Sequence, residues 1–266
     1  MQFRWLGVAG AEYRYAGQSL LIDPFLSRVP AWRLLGGALR SDTALIAEKL
    51  PCADAVLVSH AHCDHLLDVP AVVRRTGARA FGSAQTCRLL AAQGIAARTI
   101  AAGDHLDLGA FAVDVLPARH LTIFGRVPYA GALPARLEPP LRARDYRMDV
   151  AFSFLIVAGG ARVLDWRSAD RGPAPAADVL LVMPHERPGY YAALLDAVRP
   201  RLVMPNHWDD FTRPLSKPLR PSLAPPAWAW PPLRRMDLAR FRRSIEAVAP
   251  QAQVLVPEIF ARYEIG

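Results

Sequence analysis

The sequence predicts an α/β fold assembled from two related β-rich halves, and three observations carry that prediction. Short apolar, β-branched runs bounded by Gly, Pro or Asp alternate with stretches of helical apolar spacing. The run Ala53-Asp54-Ala55-Val56-Leu57-Val58 returns almost residue for residue as Ala177-Asp178-Val179-Leu180-Leu181-Val182, a faint internal repeat. A length of 266 residues with 52% hydrophobic content suffices for one sizeable core, so residues 1–266 are read as a single domain.

The elements follow in order. Residues 2–6, 12–15 and 19–22 alternate as strands around an Ala16-Gly17-Gln18 turn, and Asp23-Pro24 closes this unit. Residues 26–40 read as a connection, and residues 41–50 as a short helix capped by Ser41 or Asp42. The buried strand 53–58 leads into a polar cluster, after which residues 64–75 have helical spacing that ends at Thr76-Gly77. Strand 79–81, helix 83–93 ending at Gly94, strand 95–100 and the pair 106–108 and 111–116 complete the first half. His105 sits in a turn as a solvated or structural residue. The second half opens with strands 150–157 and 162–166 around Gly159-Gly160, then strand 177–182, helix 189–198 and strand 201–204. A helix over 236–247 and a strand over 253–256 end it.

Two stretches break the pattern. Residues 121–148 form a Pro- and Gly-rich insertion holding Arg126, Arg136, Arg142, Arg144 and Arg147 against Glu138 and Asp145. Long irregular loops in compact domains are lids or binding loops, or else solvated insertions, and both readings stand here. Arg142, Arg144 and Arg147 are the candidates for recognising an anionic substrate, because guanidinium groups pair with phosphate and carboxylate oxygens. Residues 213–235 carry seven prolines with Trp228 and Trp230, too many prolines for regular structure. That segment drapes over the cleft, forms a contact surface or packs its tryptophans on the core.

The chemistry concentrates in Ser59-His60-Ala61-His62-Cys63-Asp64-His65, which places three imidazoles and a carboxylate at a strand-to-helix corner. Neutral imidazole suits zinc, iron, nickel and copper, and a neighbouring carboxylate supplies negative charge or takes a proton from metal-bound water. This spacing after a buried strand reads as a metal site.

These residues resemble the metallo-β-lactamase fold superfamily, whose signature is the H-x-H-x-D-H loop. Residues 3–10 and the Leu21-Ile22-Asp23-Pro24 turn resemble its ascorbate-phosphate-lactonase and N-acylethanolamine-phospholipid-hydrolase branches. The resemblance covers most of residues 1–212. It implies a four-layer αβ/βα sandwich of two mainly antiparallel sheets flanked by helices. It implies further that His60, His62 and His120 bind one metal, and that Asp64, His65 and His207 bind a second. Zinc is the expected ion, with manganese or iron as alternatives, and one or two ions per chain. Asp23 corresponds to a residue that braces the metal loop, although an Asp-Pro turn explains it equally. Binuclear members bridge the ions with an aspartate where this chain has Ser168, and Asp170 is the nearest substitute, whereas strand alternation points Asp165 away. His185 is a candidate proton donor or substrate contact, or a cap for the following turn. Asp64 is the candidate to orient or deprotonate the nucleophile.

The function implied is metal-assisted hydrolysis of a small ester, lactone or phosphodiester, with an anionic substrate favoured by the arginines. A nuclease, a mononuclear iron redox enzyme and a non-catalytic metal-stabilised binding protein are the alternatives. The formal net charge is +8, but 30 of the 32 basic residues are arginine (32 less Lys49 and Lys217), and no aromatic-basic array marks a nucleic-acid platform. No apolar run reaches the roughly 20 residues of a membrane span, and the start lacks a secretion-signal layout. Three cysteines without framework spacing favour a reducing compartment, the cytoplasm.

Overall fold

The computed structural model describes residues 1–170, 172–185, 187, 189–223 and 234–266. Two seven-stranded sheets pack face to face, with helices outside each. The first holds β1 (Gln2–Gly7), β2 (Gly10–Tyr15), β3 (Gln18–Ile22), β4 (Ala55–Leu57), β5 (Arg79–Gly82), β6 (Ala97–Thr99) and β14 (Arg262–Glu264) in the order β14-β1-β2-β3-β4-β5-β6. The second holds β7 (His105–Asp107), β8 (Ala112–Ala118), β9 (Ala151–Ala158), β10 (Ala161–Trp166), β11 (Val179–Val182), β12 (Leu202–Pro205) and β13 (Gln253–Val254) in the order β13-β12-β11-β10-β9-β8-β7.

The apolar runs explain this layering. Along β3 and β4, Leu20, Ile22, Ala55 and Leu57 face the space between the sheets, while Leu21 and Val56 face the helices. In β10 and β11, Val163, Val179 and Leu181 point inward and Leu164, Leu180 and Val182 outward. Strands buried on both faces must be apolar throughout, which is why they lack a polar alternation.

The faint repeat is a topological one. In both sheets three successive antiparallel pairs are followed by three parallel pairs, and β4 occupies the position that β11 takes in the other sheet. Asp54 accepts the Ser19 amide at 2.7 Å, and Asp178 accepts the Arg162 amide at 2.8 Å, so the same residue type ties equivalent strands. The sheets are therefore mixed rather than mainly antiparallel, because long crossover connections, most of them helical, join the parallel strands.

The helices are α1 (Ala31–Leu34), α2 (Thr43–Lys49), α3 (Cys63–Leu66), α4 (Val69–Thr76), α5 (Ala84–Ala91), α6 (Tyr190–Val198) and α7 (Leu238–Glu246). Asp42 caps α2 by accepting the Leu45 amide, and Gly77 ends α4 at φ 73°. The single helix expected over 64–75 is two helices. Asp68, at the break, turns its carboxylate to the Leu26 and Ser27 amides at 2.6 and 2.9 Å, and Pro70 starts the second helix without an amide donor.

The insertion is more firmly held than a solvated loop. Leu133, Leu141, Ala143, Tyr146 and Met148 are buried in the cluster between the first sheet and its helices. Residues Ala143–Asp145 form a 3-10 turn, and isolated bridges join Ala38 to Arg142 and Ala130 to Met148. Of the proline-rich stretch 213–235, bridges tie Asp209 to Pro221 and Leu223 to Arg235, whereas Trp228 and Trp230 lie outside the described residues.

Candidate metal centre

Six of the seven histidines line one cavity of about 420 Å³ at the ends of the strands, together with Asp64. His60 and His62 leave the end of β4, Asp64 and His65 lie on α3, His120 follows β8 and His207 follows β12. Their donor atoms form two trios, His60, His62 and His120 in one and Asp64, His65 and His207 in the other, each within 4.8 Å. His105, the remaining histidine, pairs with Asp114 on the surface at 2.6 Å.

The donor set fits divalent metal. His60 Nε2 lies 3.1 Å from His62 Nδ1, His207 Nε2 lies 3.2 Å from His65 Nε2, and Asp64 Oδ2 lies 3.2 Å from His207 Nε2. These separations approach the roughly 3.3 Å edge of a tetrahedron with metal bonds of about 2.0–2.1 Å. The hydrogen bonds also set the tautomers. His65 Nδ1 faces Asp23 Oδ2 at 2.7 Å and His120 Nδ1 faces the Leu121 carbonyl at 2.7 Å, so both Nδ1 atoms carry the proton and both Nε2 atoms keep a lone pair. Ser59 donates its hydroxyl proton to Asp23 and lies 3.1 Å from His60 Nδ1, which leaves His60 in the same state.

Electrostatics keep these ligands in metal-ready form. Burial and the neighbouring imidazoles push His60 well below its ordinary value, burial and His120 take His62 to about 3, and burial takes His120 to about 4. Burial by itself would raise Asp64, but His65 and His207 more than offset it and hold the carboxylate ionised. The first trio is thus three neutral imidazoles, whereas the second includes an ionised carboxylate.

A buried network braces the second trio, and Arg167 is its centre. Arg167 donates from Nη1 to Asp23 Oδ2 at 2.9 Å, from Nε and Nη2 to the two oxygens of Asp165 at 2.6 Å each, and from Nη2 to the Ala9 carbonyl at 2.7 Å. Asp165 and Asp23 more than offset the burial that disfavours its charge, so its pKa is raised. Asp23 therefore braces the metal loop, and its turn geometry, φ 44°, serves that contact. His207 is held at φ 52°, its amide donating to the Val8 carbonyl at 2.9 Å, while the Val8 amide donates to Asp209 at 2.7 Å. Arg167 is hard to single out in the sequence because 30 arginines dilute any single one, and Asp209 because its partner Val8 is 201 residues away along the chain. A usable signal was the position of Arg167, directly after an apolar strand and beside the expected bridging residue.

Other candidates are placed differently. Ser168 lines the cavity, and its hydroxyl accepts the Arg119 and Asp170 amides at 3.1 and 3.2 Å. Asp170 does not line it, because its carboxylate pairs with Arg119 at 3.1 Å and Arg187 at 3.6 Å, so it is no substitute bridge. Asp165 is turned to Arg167 and not to the donors. His185 lines the cavity, but burial and then Arg187 lower it to about 3, which makes it a neutral hydrogen-bonding group rather than a ready proton donor. Arg142 and Arg144 are exposed, and neither they nor Arg147 line the cavity. Leu141 and Ala143, which alternate with the first two along the chain, are buried, one before and one at the start of the 3-10 turn, and the turn leaves Arg142 and Arg144 at the surface.

Two facing mixed sheets with a six-donor cluster at their strand ends define a metallohydrolase-type scaffold. The Beta-lactamase superfamily domain matches residues 18–164. The "UPF0173 metal-dependent hydrolase STH3160" of Symbiobacterium thermophilum is 30% identical over 215 residues, covering 79% of this chain and 85% of that one. The chain belongs to this β-lactamase superfamily and, within it, to the UPF0173 metal-dependent hydrolases. A Carboxydothermus hydrogenoformans relative of the same description is 33% identical over 128 residues, 48% of this chain and only 51% of the relative's length. Among solved structures, Igni18, a metallo hydrolase from Ignicoccus hospitalis, shares the fold with a TM-score of 0.64 at 19% identity, over 100% of this chain and 99% of the other.

Proposed function

We propose that this protein hydrolyses a small carboxylic ester or lactone with metal-activated water, phosphodiesters being the third bond class to test. The observation that supports this most is the pair of donor trios at the base of a cavity of about 420 Å³, a size suited to a small molecule. His60, His62 and His120 would hold one ion and Asp64, His65 and His207 another. When bound, a divalent ion supplies a water acidified toward neutral pH and a Lewis-acid contact for the acyl oxygen.

The residues supply the rest. Ionised Asp64 accepts a hydrogen bond from the nucleophilic water and orients it. Neutral His185 offers a hydrogen bond toward the leaving oxygen. Water oxygen bonds to the acyl carbon, the acyl–oxygen bond breaks, the leaving oxygen takes up a proton, and the carboxylic acid formed loses one to solvent. Among the described residues no carboxylate but Asp64 lines the cavity, and Ser168 brings no charge, so the second ion binds less tightly than the first. Zinc suits this nitrogen-rich donor set best, with manganese and iron as alternatives. The nuclease reading loses its support, because Arg167 is the one basic residue among the described lining residues and its donors are already engaged.

No helix among the described residues is long and apolar enough to cross a membrane. Cys52, Cys63 and Cys87 are all free, which fits a reducing compartment such as the cytoplasm. The test is a screen of zinc-, manganese- and iron-loaded protein against esters, lactones and phosphodiesters. Chelator-sensitive ester or lactone turnover supports the proposal, and no turnover with any metal contradicts it.

A further inference from the structure

The wall of the cavity carries a chemical character that the donor trios do not explain. Above the donors it is built from side chains of separate segments, among them Leu34, Ile123, Tyr129, Met183, Phe211 and Met236. The one basic lining residue among those described, Arg167, has its guanidinium nitrogens committed to Asp23, Asp165 and the Ala9 carbonyl. An anionic substituent laid on this wall would lose its hydration and meet no partner charge. An apolar substituent would instead remove two apolar surfaces from water.

The same character continues beyond the mouth. Ile123, Tyr129 and Leu223 line the cavity and are still 38%, 44% and 50% exposed. Leu35 follows Leu34 and Phe124 follows Ile123, and both are exposed too. Large apolar side chains grouped in this way around one opening are uncommon on a surface with nothing to bind.

We propose that the site selects an uncharged ester or lactone whose extended apolar acyl or aryl part lies along this wall and reaches the mouth between Ile123 and Tyr129. The proposal rests on the hydrolytic reading for which bond is cut, but not for what the wall accepts. It also gives product release a direction. Hydrolysis converts a neutral acyl group into a carboxylate, which the wall does not stabilise.

The test uses the full-length protein as purified and a series of methyl ketones from four to twelve carbons, neutral compounds that cannot be hydrolysed. Isothermal titration should show affinity rising about threefold to fourfold with each added methylene until the cavity is filled. Ile123→Arg and Tyr129→Arg, both at partly exposed positions that tolerate the change, should each lower affinity for the longest ketones about tenfold or more. They should leave the shortest ketones nearly unaffected. Affinity independent of chain length, or long-chain affinity unaltered in both variants, would overturn the proposal. Turnover of p-nitrophenyl acetate through decanoate, measured in parallel, separates the two readings. A ketone ladder without ester turnover retains the wall's selectivity and removes hydrolysis, whereas turnover with a flat ladder does the reverse.

Discussion

The two donor trios occupy one cavity and are built in opposite ways. His60, His62 and His120 form a neutral set held by burial, a serine hydroxyl and a backbone carbonyl. Asp64, His65 and His207 form a charged set tied through Asp23 to Arg167 and Asp165, and thereby to both sheets. Each trio takes two ligands from the strand-to-helix corner and one from the second sheet, but only the second is braced directly by the buried ion pairs that join the two sheets. Changes to either should therefore separate cleanly in metal content.

The largest effect falls on the neutral trio. His60→Ala removes one of three nitrogens, and with braces outside a ligand set already worth about 10- to 100-fold, loss of a ligand should weaken that ion and turnover by more than about a hundredfold. Metal analysis and turnover of the purified variant check this, and full occupancy would remove the trio from the site. Arg167→Met, which leaves the Asp23–Ser59–His60 chain in place, should weaken metal in the charged trio about 10- to 100-fold and largely spare the neutral one, read by chelator competition. Equal loss from both trios would mean that the network supports the whole core rather than one ion. Arg167→Lys should rescue little, since an ammonium cannot reproduce the forked contact with Asp165.

Ser168→Asp should act in the opposite direction. A carboxylate at this lining position restores a negative charge between two cations, so occupancy of the second ion at equal free metal should rise from nearer one ion per chain toward two. Two tightly held ions in the unmodified protein would contradict this. The smallest effect concerns pH. His185 has a folded pKa of about 3 against an ordinary 6.5, so the unfolded chain binds its proton first as pH falls. Its stabilising contribution is therefore complete above pH 6.5 and is lost as pH drops toward about 3. His185→Gln should flatten the slope of unfolding free energy in that window by up to ~1.4 kcal/mol per pH unit, measured by urea unfolding.

Much of this was legible in the sequence, and the boundary has physical causes. Val56 and Val58 belong to a run apolar on both faces, so the strand and the corner after it could be read directly. The similarity of residues 53–58 to 177–182 proved to be topological, because Asp54 and Asp178 perform the same backbone tie. β14 is not legible in the sequence, because three residues of alternating polarity give no signal without their partner Gln2–Gly7. In the insertion the arginines drew attention, although Leu141 and Ala143, alternating with Arg142 and Arg144, already showed which side chains turn inward. Arg167 depends on contacts more than a hundred residues apart along the chain, which no local pattern encodes.

The most direct test is to titrate zinc into chelator-stripped protein and follow ester turnover together with bound metal. The stripped protein should show no turnover, activity should recover in step with the first ion bound, and His60→Ala should not recover at the same free zinc. Turnover that persists without metal, or that returns undiminished in the variant, would contradict it.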